Sequence, residues 1–444
     1  MLIGSARASP RPVSMPSAAP GDKWLVPAVV LLIGTAPFLV FPSLLPTGVQ
    51  AYVVPICAAA AMLVPMVLSS GVRPFVLMLA LFEIAVVAAW WHMPVHDAQA
   101  VAHTAGLAFG LLLMSTLSVW CRTRARLLAA ASVFSLGACF VLVVGILGTG
   151  DSTKLLVPGL AGRLRLGLPG LENGVVNPNA VGGTAVLVAP VAFALLSVWR
   201  HAGSAQRAVA LVASVTAAAM VTIAGSRTAW AAAALVLVGW MVARAARRSV
   251  RAAVRRALLA AGGALAGAVL AWTWIGAAGG RTLIEALHRP LQFRLEMWSH
   301  AVRVLDASPW FGTGINQFRQ FSLWTPEPHS SPFHPVHAHN TFLQVALDLG
   351  LPGLAAYLAV LVALLTLARR AAAGPDRVVA RLAVGAALSL AAVHAFGLAD
   401  AIALGAKVGA FQWASGGLII AAFRLQAQPA DALPTAASRE RALQ

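Results

Sequence analysis

The chain has 444 residues, 59% of them hydrophobic and only 10% charged, with a mean hydropathy of +0.82. This balance excludes a soluble globular domain and makes the bilayer the solvent. The net charge of +18, from 32 Lys+Arg against 14 Asp+Glu, would point to nucleic acid in a soluble protein. In this chain it points to membrane lipids as partner and to no nucleic acid.

Apolar runs long enough to cross a bilayer begin near Trp24, Gln50, Phe75, Val101, Leu127, Asn179, Ala208, Thr228, Leu258, Gly350, Leu382 and Val408. They predict an all-α, polytopic membrane protein with about 12 transmembrane helices. Residues 1–22 are rich in Pro, Ser and Ala and lack an apolar core of their own, so they read as a disordered cytoplasmic tail and not as a signal peptide. Residues 23–279 hold spans one to nine with an external loop at about 149–178; 280–350 form a large helical external loop; 351–425 hold the last three spans; 426–444 form a second cytoplasmic tail. With the N-terminus in the cytoplasm, 22 of the 32 cations fall on the cytoplasmic side, including the Arg122, Arg124 and Arg126 cluster. Positive charge retained inside puts both termini in the cytoplasm and the long loops outside. Cys57, Cys121 and Cys139 lie in or at the ends of apolar runs and imply packing, not a disulfide framework. Glu83, in the middle of the third span, needs an interior partner.

The first long loop carries Arg163-Leu-Arg165, which in an extended segment points both guanidinium groups the same way. It ends at Asn177-Pro178-Asn179, a turn that starts the next helix with Asn179 as its N-cap. Further on, Gly225-Ser226-Arg227-Thr228 is wedged between two apolar runs with almost no loop. A lone arginine there would snorkel to headgroups. With Arg163, Arg165, Arg289 and Arg294 on the same side, a phosphate or diphosphate cradle is the better reading.

In the large loop, apolar residues recur at helical spacing from Arg281 to Leu305 and predict amphipathic helices near the bilayer surface. Ser308 to Gly314 is a turn-rich break, and Trp324 to Val336 is a Pro-rich crossing. The loop ends at His337-Ala338-His339-Asn340, which runs straight into an apolar helix. Alternation brings the two imidazoles near each other, and a neutral histidine can take a proton near neutral pH. Two other readings stand beside that one: histidines capping a helix, and a metal site with His329 and His334 upstream. The spacing supplies no acidic third ligand, and the external carboxylates, Asp400 among them, form no divalent-cation pattern; the expectation is a site without metal or other cofactor.

His339-Asn340, nine residues, then Gly350-Leu-Pro-Gly353 resembles the histidine motif of the O-antigen ligase superfamily. Ser226-Arg227, Arg294 to Trp298 followed by Pro309 and Gly312-x-Gly314, and Asn177-Pro178-Asn179 support the resemblance. The superfamily includes lipopolysaccharide O-antigen ligases, Wzy-type polymerases and protein O-oligosaccharyltransferases. The resemblance implies a GT-C-like glycosyltransferase of the bacterial inner membrane with a periplasmic active site. Its donor would be a glycan on undecaprenyl diphosphate and its acceptor the lipid A core oligosaccharide, with neither metal nor nucleotide. The catalytic histidine falls on His339, with His337 beside it. Arg227 and Arg294 fall on the diphosphate-binding arginines; Arg163, Arg165 and Arg289 match less sharply, and Ser226, Asn340, Gly350 and Gly353 support the motifs. The short segment after the last span favours a ligase over a protein-glycosylating member, and a polymerase is the runner-up. A lipid or solute transporter is the non-enzyme alternative; it would gather ionisable residues near the midplane, where this sequence has only Glu83, His103 and His394.

Overall fold

The computed structural model describes residues 73–149, 154–157, 176–246, 283–324 and 336–427, together with 46 and 49; at 73, 242–246, 283–290 and 322–324 it describes the backbone alone. The tails, the runs near Trp24, Gln50 and Leu258, the Arg163 and Arg165 pair, Cys57, His329, His334 and most of the Pro-rich crossing lie outside these residues.

Among the described residues every regular element is helical. In chain order they are α1 (Arg73–His92), α2 (Ala98–Trp120), α3 (Arg124–Leu147), α4 (Pro178–Ser197), α5 (Ser204–Ile223), α6 (Arg227–Ala246), α7 (Leu283–Ala307), α8 (Phe318–Trp324), α9 (Thr341–Ala372), α10 (Arg377–Phe396) and α11 (Ala410–Ala427). Eight of them, α1 to α5 and α9 to α11, are long and apolar enough to cross a membrane, and α6 is apolar from Arg227 to Met241. The chain is therefore a polytopic membrane protein.

Side-chain oxygens set where these helices start. Asp97 accepts from the Ala100 N–H to cap α2, Thr123 from Arg126 to cap α3, and Asp376 from Val378 and Val379 to cap α10. Each satisfies a backbone donor that has no partner within its own helix.

In lipid there is no hydrophobic drive between helices, so close approach at small residues does the work. A Cβ on Gly385 of α10 would lie 2.3 Å from the Ala194 Cβ and 2.8 Å from the Pro190 carbonyl of α4. A Cβ on Gly110 of α2 would lie 2.4 Å from the Trp413 ring of α11. One polar chain crosses this interior. His394 Nδ1 donates to the Leu390 carbonyl (2.6 Å), Tyr357 Oη donates to His394 Nε2 (2.8 Å), and Gln412 Nε2 donates to Tyr357 Oη (2.7 Å). The carbonyl can only accept, so His394 carries a proton on Nδ1, and both of its ring nitrogens are hydrogen-bonded. Glu83 departs from expectation. Among the described residues neither of its carboxylate oxygens meets a hydrogen-bonding partner, and the side chain borders a cavity of about 10 Å³ lined also by Val86, Thr104 and Leu107, near the size of one water.

α7 realises the predicted amphipathic segment as a single helix. It buries Met297, Ala301 and Val304 against Phe318, Ala338 and Leu347, and exposes Leu291, Leu295 and Val302.

α9 is two helices in one element, broken at Gly350 (φ 75°, ψ 175°). The break deprives the Leu347 carbonyl and the Leu351 N–H of each other. The turn after α7 supplies substitutes: Thr313 N–H donates to the Leu347 carbonyl (2.6 Å), and Leu351 N–H donates to the Pro309 carbonyl (2.7 Å). Asp348 Oδ1 accepts from Asn316 N–H (3.0 Å) and Gln344 Nε2 (2.8 Å). Only glycine fits at the break: φ is in the left-handed region, and a Cβ would lie 2.2 Å from the Trp310 carbonyl. Gly353 answers a different need, since a Cβ there would lie 2.3 Å from the Leu349 Cβ brought over by the bend.

Gly350→Ala should therefore lower the midpoint of thermal unfolding in detergent by the equivalent of about 1–3 kcal/mol or more. Gly239→Ala, where nothing lies within 4 Å of the new Cβ, should leave it unchanged or raised.

Candidate active site

The site is built on the end of α10. The last carbonyls of a helix have no partners within it and carry its partial negative charge. Those of α10 are taken up by the N–H groups of the turn that follows it, and the carbonyls of that turn are taken up by residues of two other elements, α9 and α7. The Gly397 carbonyl accepts from Thr341 N–H (2.7 Å), the Leu398 carbonyl from Asn340 Nδ2 (3.1 Å), and the Ala399 carbonyl from Arg294 Nε (2.6 Å). Asp400 follows and binds the next group through its side chain.

Asp400 is nearly fully buried, and its Oδ1 lies 3.1 Å from His339 Nδ1. The same oxygen accepts from Ala401 N–H (2.9 Å), and Oδ2 accepts from Asn179 Nδ2 (3.0 Å). Burial pushes this carboxyl up. The His339 hydrogen bond, the charges of His339 and His337 and the Ala401 N–H outweigh that and hold it below the usual carboxylate range. An ionised carboxylate only accepts, so His339 carries a proton on Nδ1, and Nε2 is the nitrogen that this bond leaves to the site. His339 sits in the left-handed region (φ 48°), a conformation that costs energy in a non-glycine residue and recurs at functional sites. Phe293 packs edge-on against its ring at 5.9 Å between centroids.

The His337 ring lies 4.2 Å from that of His339. His337 Nδ1 accepts the His339 backbone N–H (3.3 Å), which puts the His337 proton on Nε2. Burial, then the neighbouring His339 charge, push His337 down to about 4, against the pull of Asp400. Its accepting nitrogen is thus in use while that of His339 is available. His339 is the better placed of the two to take a proton.

The acidic third group that the spacing near His339 did not supply comes from Asp400, 61 residues away. The donor atoms of His337, His339 and Asp400 lie within 4.8 Å of one another, close enough in principle to face a common ion. Both Nδ1 atoms belong to hydrogen bonds, so an ion would take the Nε2 atoms or break those bonds, and the same hydrogen-bonded arrangement is one that can hand on a proton.

Arg227 is the first residue of α6, whose start is capped by Ser226 Oγ accepting from Ala229 N–H (3.3 Å). The preceding Gly225 has φ +60°, and a Cβ on it would lie 2.0 Å from the Lys154 carbonyl, so the turn is fixed under a crossing strand of chain. A cation at a helix N-terminus opposes the dipole and is favoured there only alongside an anion. Arg294 reinforces the demand: its charge acts on Arg227, and its Nη2 lies 3.5 Å from Thr228 Oγ1. Beside the pair runs a groove of about 360 Å³ lined by Arg227, Thr228, Ala231, Leu235, Ala395 and Leu398. Arg289 lies in α7 with its side chain outside the description. Asn340 proves to be a cap, accepting from Leu343 N–H (3.0 Å).

The structure thus brings together His337, His339, Arg227 and Arg294, and adds Asp400 and Asn179, whose roles sequence reading missed. The available signal was an acid immediately following an apolar span, in Gly397-Leu-Ala-Asp400.

Residues 212–358 match the O-antigen ligase family. The matched segment includes Arg227, Arg294, His337 and His339, and leaves Asn179 and Asp400 outside it. No curated protein matches the chain. The match supports membership of the O-antigen ligase superfamily and a ligase- or polymerase-type function.

His337 is held neutral in the folded state, whereas in the unfolded chain it would charge near 6.5. It therefore contributes stability that is present above pH 6.5 and lost as pH falls toward 4, amounting to about 1–3 kcal/mol. His337→Gln should flatten the fall in unfolding midpoint across that window; an unchanged slope would contradict the assignment.

Proposed function

We propose that the chain is a metal-independent O-antigen ligase of the bacterial inner membrane, which moves a glycan from undecaprenyl diphosphate to a sugar hydroxyl of the lipid A core at the periplasmic face. One observation carries this reading: two adjacent residues, Ala399 and Asp400, hold the arginine of a cationic pair and the imidazole of a base. Anion binding and proton removal are thereby fixed relative to each other, as transfer from a diphosphate to a hydroxyl requires.

In this reading His339 Nε2 takes the proton of the acceptor hydroxyl as its oxygen attacks the anomeric carbon. The bond from that carbon to the diphosphate oxygen breaks, and its electron pair leaves with the diphosphate. Arg227 and Arg294, with the N-terminal dipole of α6, meet the charge that develops there. Asp400 stabilises the imidazolium until it releases its proton. Arg163, Arg165 and Arg289 are proposed as further diphosphate contacts. Asn340 and Gly350 act by placing the histidine segment, the first as a cap and the second as a bend.

The test is transfer by purified protein given undecaprenyl-diphosphate glycan and lipid A core, with and without chelator. Glycan joined to the core with chelator present is the expected result; longer lipid-linked chains would select a polymerase, and neither product would overturn the reading. His339→Ala should slow transfer about 10²–10⁴-fold. Arg294→Lys keeps the charge and loses the two-pronged donor, so transfer should fall by about tenfold or more; full activity in either variant would contradict its role.

A further inference from the structure

We infer that Asn179, the second residue of α4, is the positioning residue for the base, acting on His339 through Asp400; this rests on the transfer reading above. Asp400 is 61 residues from His339 and 221 from Asn179 in sequence, yet its two carboxylate oxygens join them. Oδ1 holds His339, and Oδ2 has Asn179 Nδ2 at 3.0 Å. Since the carboxylate can only accept, the Asn179 amide is oriented with its nitrogen inward. Asp400 side-chain exposure is 4%, so without Asn179 a carboxylate oxygen would be left with one donor fewer in a buried place. The carboxylate would turn to recover a partner, and the imidazole it orients would turn with it.

Asn179 is itself fixed. Its backbone N–H donates to Asn177 Oδ1 (3.0 Å), and Pro178 pre-sets the first turn of α4. The carboxylate thus lies at the N-terminus of α4, where the helix dipole also favours its charge. α4 lies against α10, with Gly183 so close to Phe396 that a Cβ would come within 2.7 Å of the ring. Asn179 therefore sets the Asp400 carboxylate from a rigid neighbour and not from a loose loop.

Charged and titratable groups near the carboxylate come from several elements. His337 and His339 precede α9, Arg294 reaches from α7 to the Ala399 carbonyl, Arg227 starts α6, and His394 lies six residues back on α10. α4 itself contributes no titratable side chain.

Two substitutions distinguish a hydrogen bond to Asp400 from a general packing role. Asn179→Ala removes the donor. Asn179→Asp is nearly isosteric and places two carboxyl groups in hydrogen-bonding contact, where they share a proton at mildly acidic pH and lose it as pH rises. The protonated form donates to Asp400 as the amide does; the fully ionised form repels it. The experiment measures kcat and donor KM for transfer from pH 5 to 9 in full-length protein whose thermal unfolding matches the wild type. Expected are a fall in kcat of about 10–100-fold for Asn179→Ala with donor KM little changed, and for Asn179→Asp near-normal kcat at the acid end with a new alkaline limb. Wild-type kcat in Asn179→Ala, an Asn179→Asp profile parallel to wild type, or no activity at any pH in both variants would overturn the inference. Undiminished transfer by His339→Ala would instead refute the parent reading.

Discussion

The end of α10 is the constraint on which the site depends. The last carbonyls of α10, of Val393, Ala395 and Phe396, are taken up by the N–H groups of Gly397 to Asp400, which fold into a turn whose own carbonyls then need donors. Gly397, Leu398 and Ala399 meet that requirement with a backbone N–H, a cap asparagine and a guanidinium, and Asp400 adds an imidazole. Groups far apart in the chain thus converge on the turn that ends α10, whose carbonyls need donors. A cation is also what the negative end of a helix favours, so holding Arg294 there satisfies the backbone and the electrostatics together.

The histidine segment is pinned at both ends. At its start, Asn340 caps α9 and reaches the α10 terminus; nine residues on, Gly350 bends the chain and the turn at Pro309 to Thr313 takes up the separated backbone groups. Between these points the short helix has little freedom to slide, and His339 keeps its unfavourable backbone angle because both flanks are fixed. This explains in physical terms why a histidine, a cap and two glycines belong to one motif. In the proposed reading the histidine handles the proton; the cap sets the helix start, Gly350 supplies the bend, and Gly353 accommodates what the bend brings near.

Much of this was legible in the sequence. Apolar runs located nine of the helices because their length is set by the bilayer, and the period of the loop after Arg281 located α7. The adjacent imidazoles and the Arg227 and Arg294 pair followed from order and side. Asp400 was not legible as a site residue. Its local signal, an acid immediately after an apolar span, does not name a partner, and its partners are contacts between the ends of helices far apart in sequence. The Asn177-Pro178-Asn179 turn was read correctly, but its cap is Asn177 and not Asn179, because Pro178 already takes the first helical position, and the direction of Asn179 depends on how α4 packs against α10. Glu83 shows the reverse case: a buried acid demands a partner by rule, yet among the described residues its oxygens meet none and its side chain borders a cavity the size of a water molecule.

The central claim is that Asp400 fixes the tautomer of His339 and so makes Nε2 the base. Asp400→Asn tests it most directly, because the amide keeps the shape and can present its nitrogen to the ring, favouring the wrong tautomer. Measured as kcat for glycan transfer at neutral pH in purified full-length protein, the substitution should slow turnover by about 10²–10⁴-fold while donor KM changes little. A rate within about threefold of wild type would contradict the account, since that is less than 1 kcal/mol of transition-state stabilisation and too little for an oriented base.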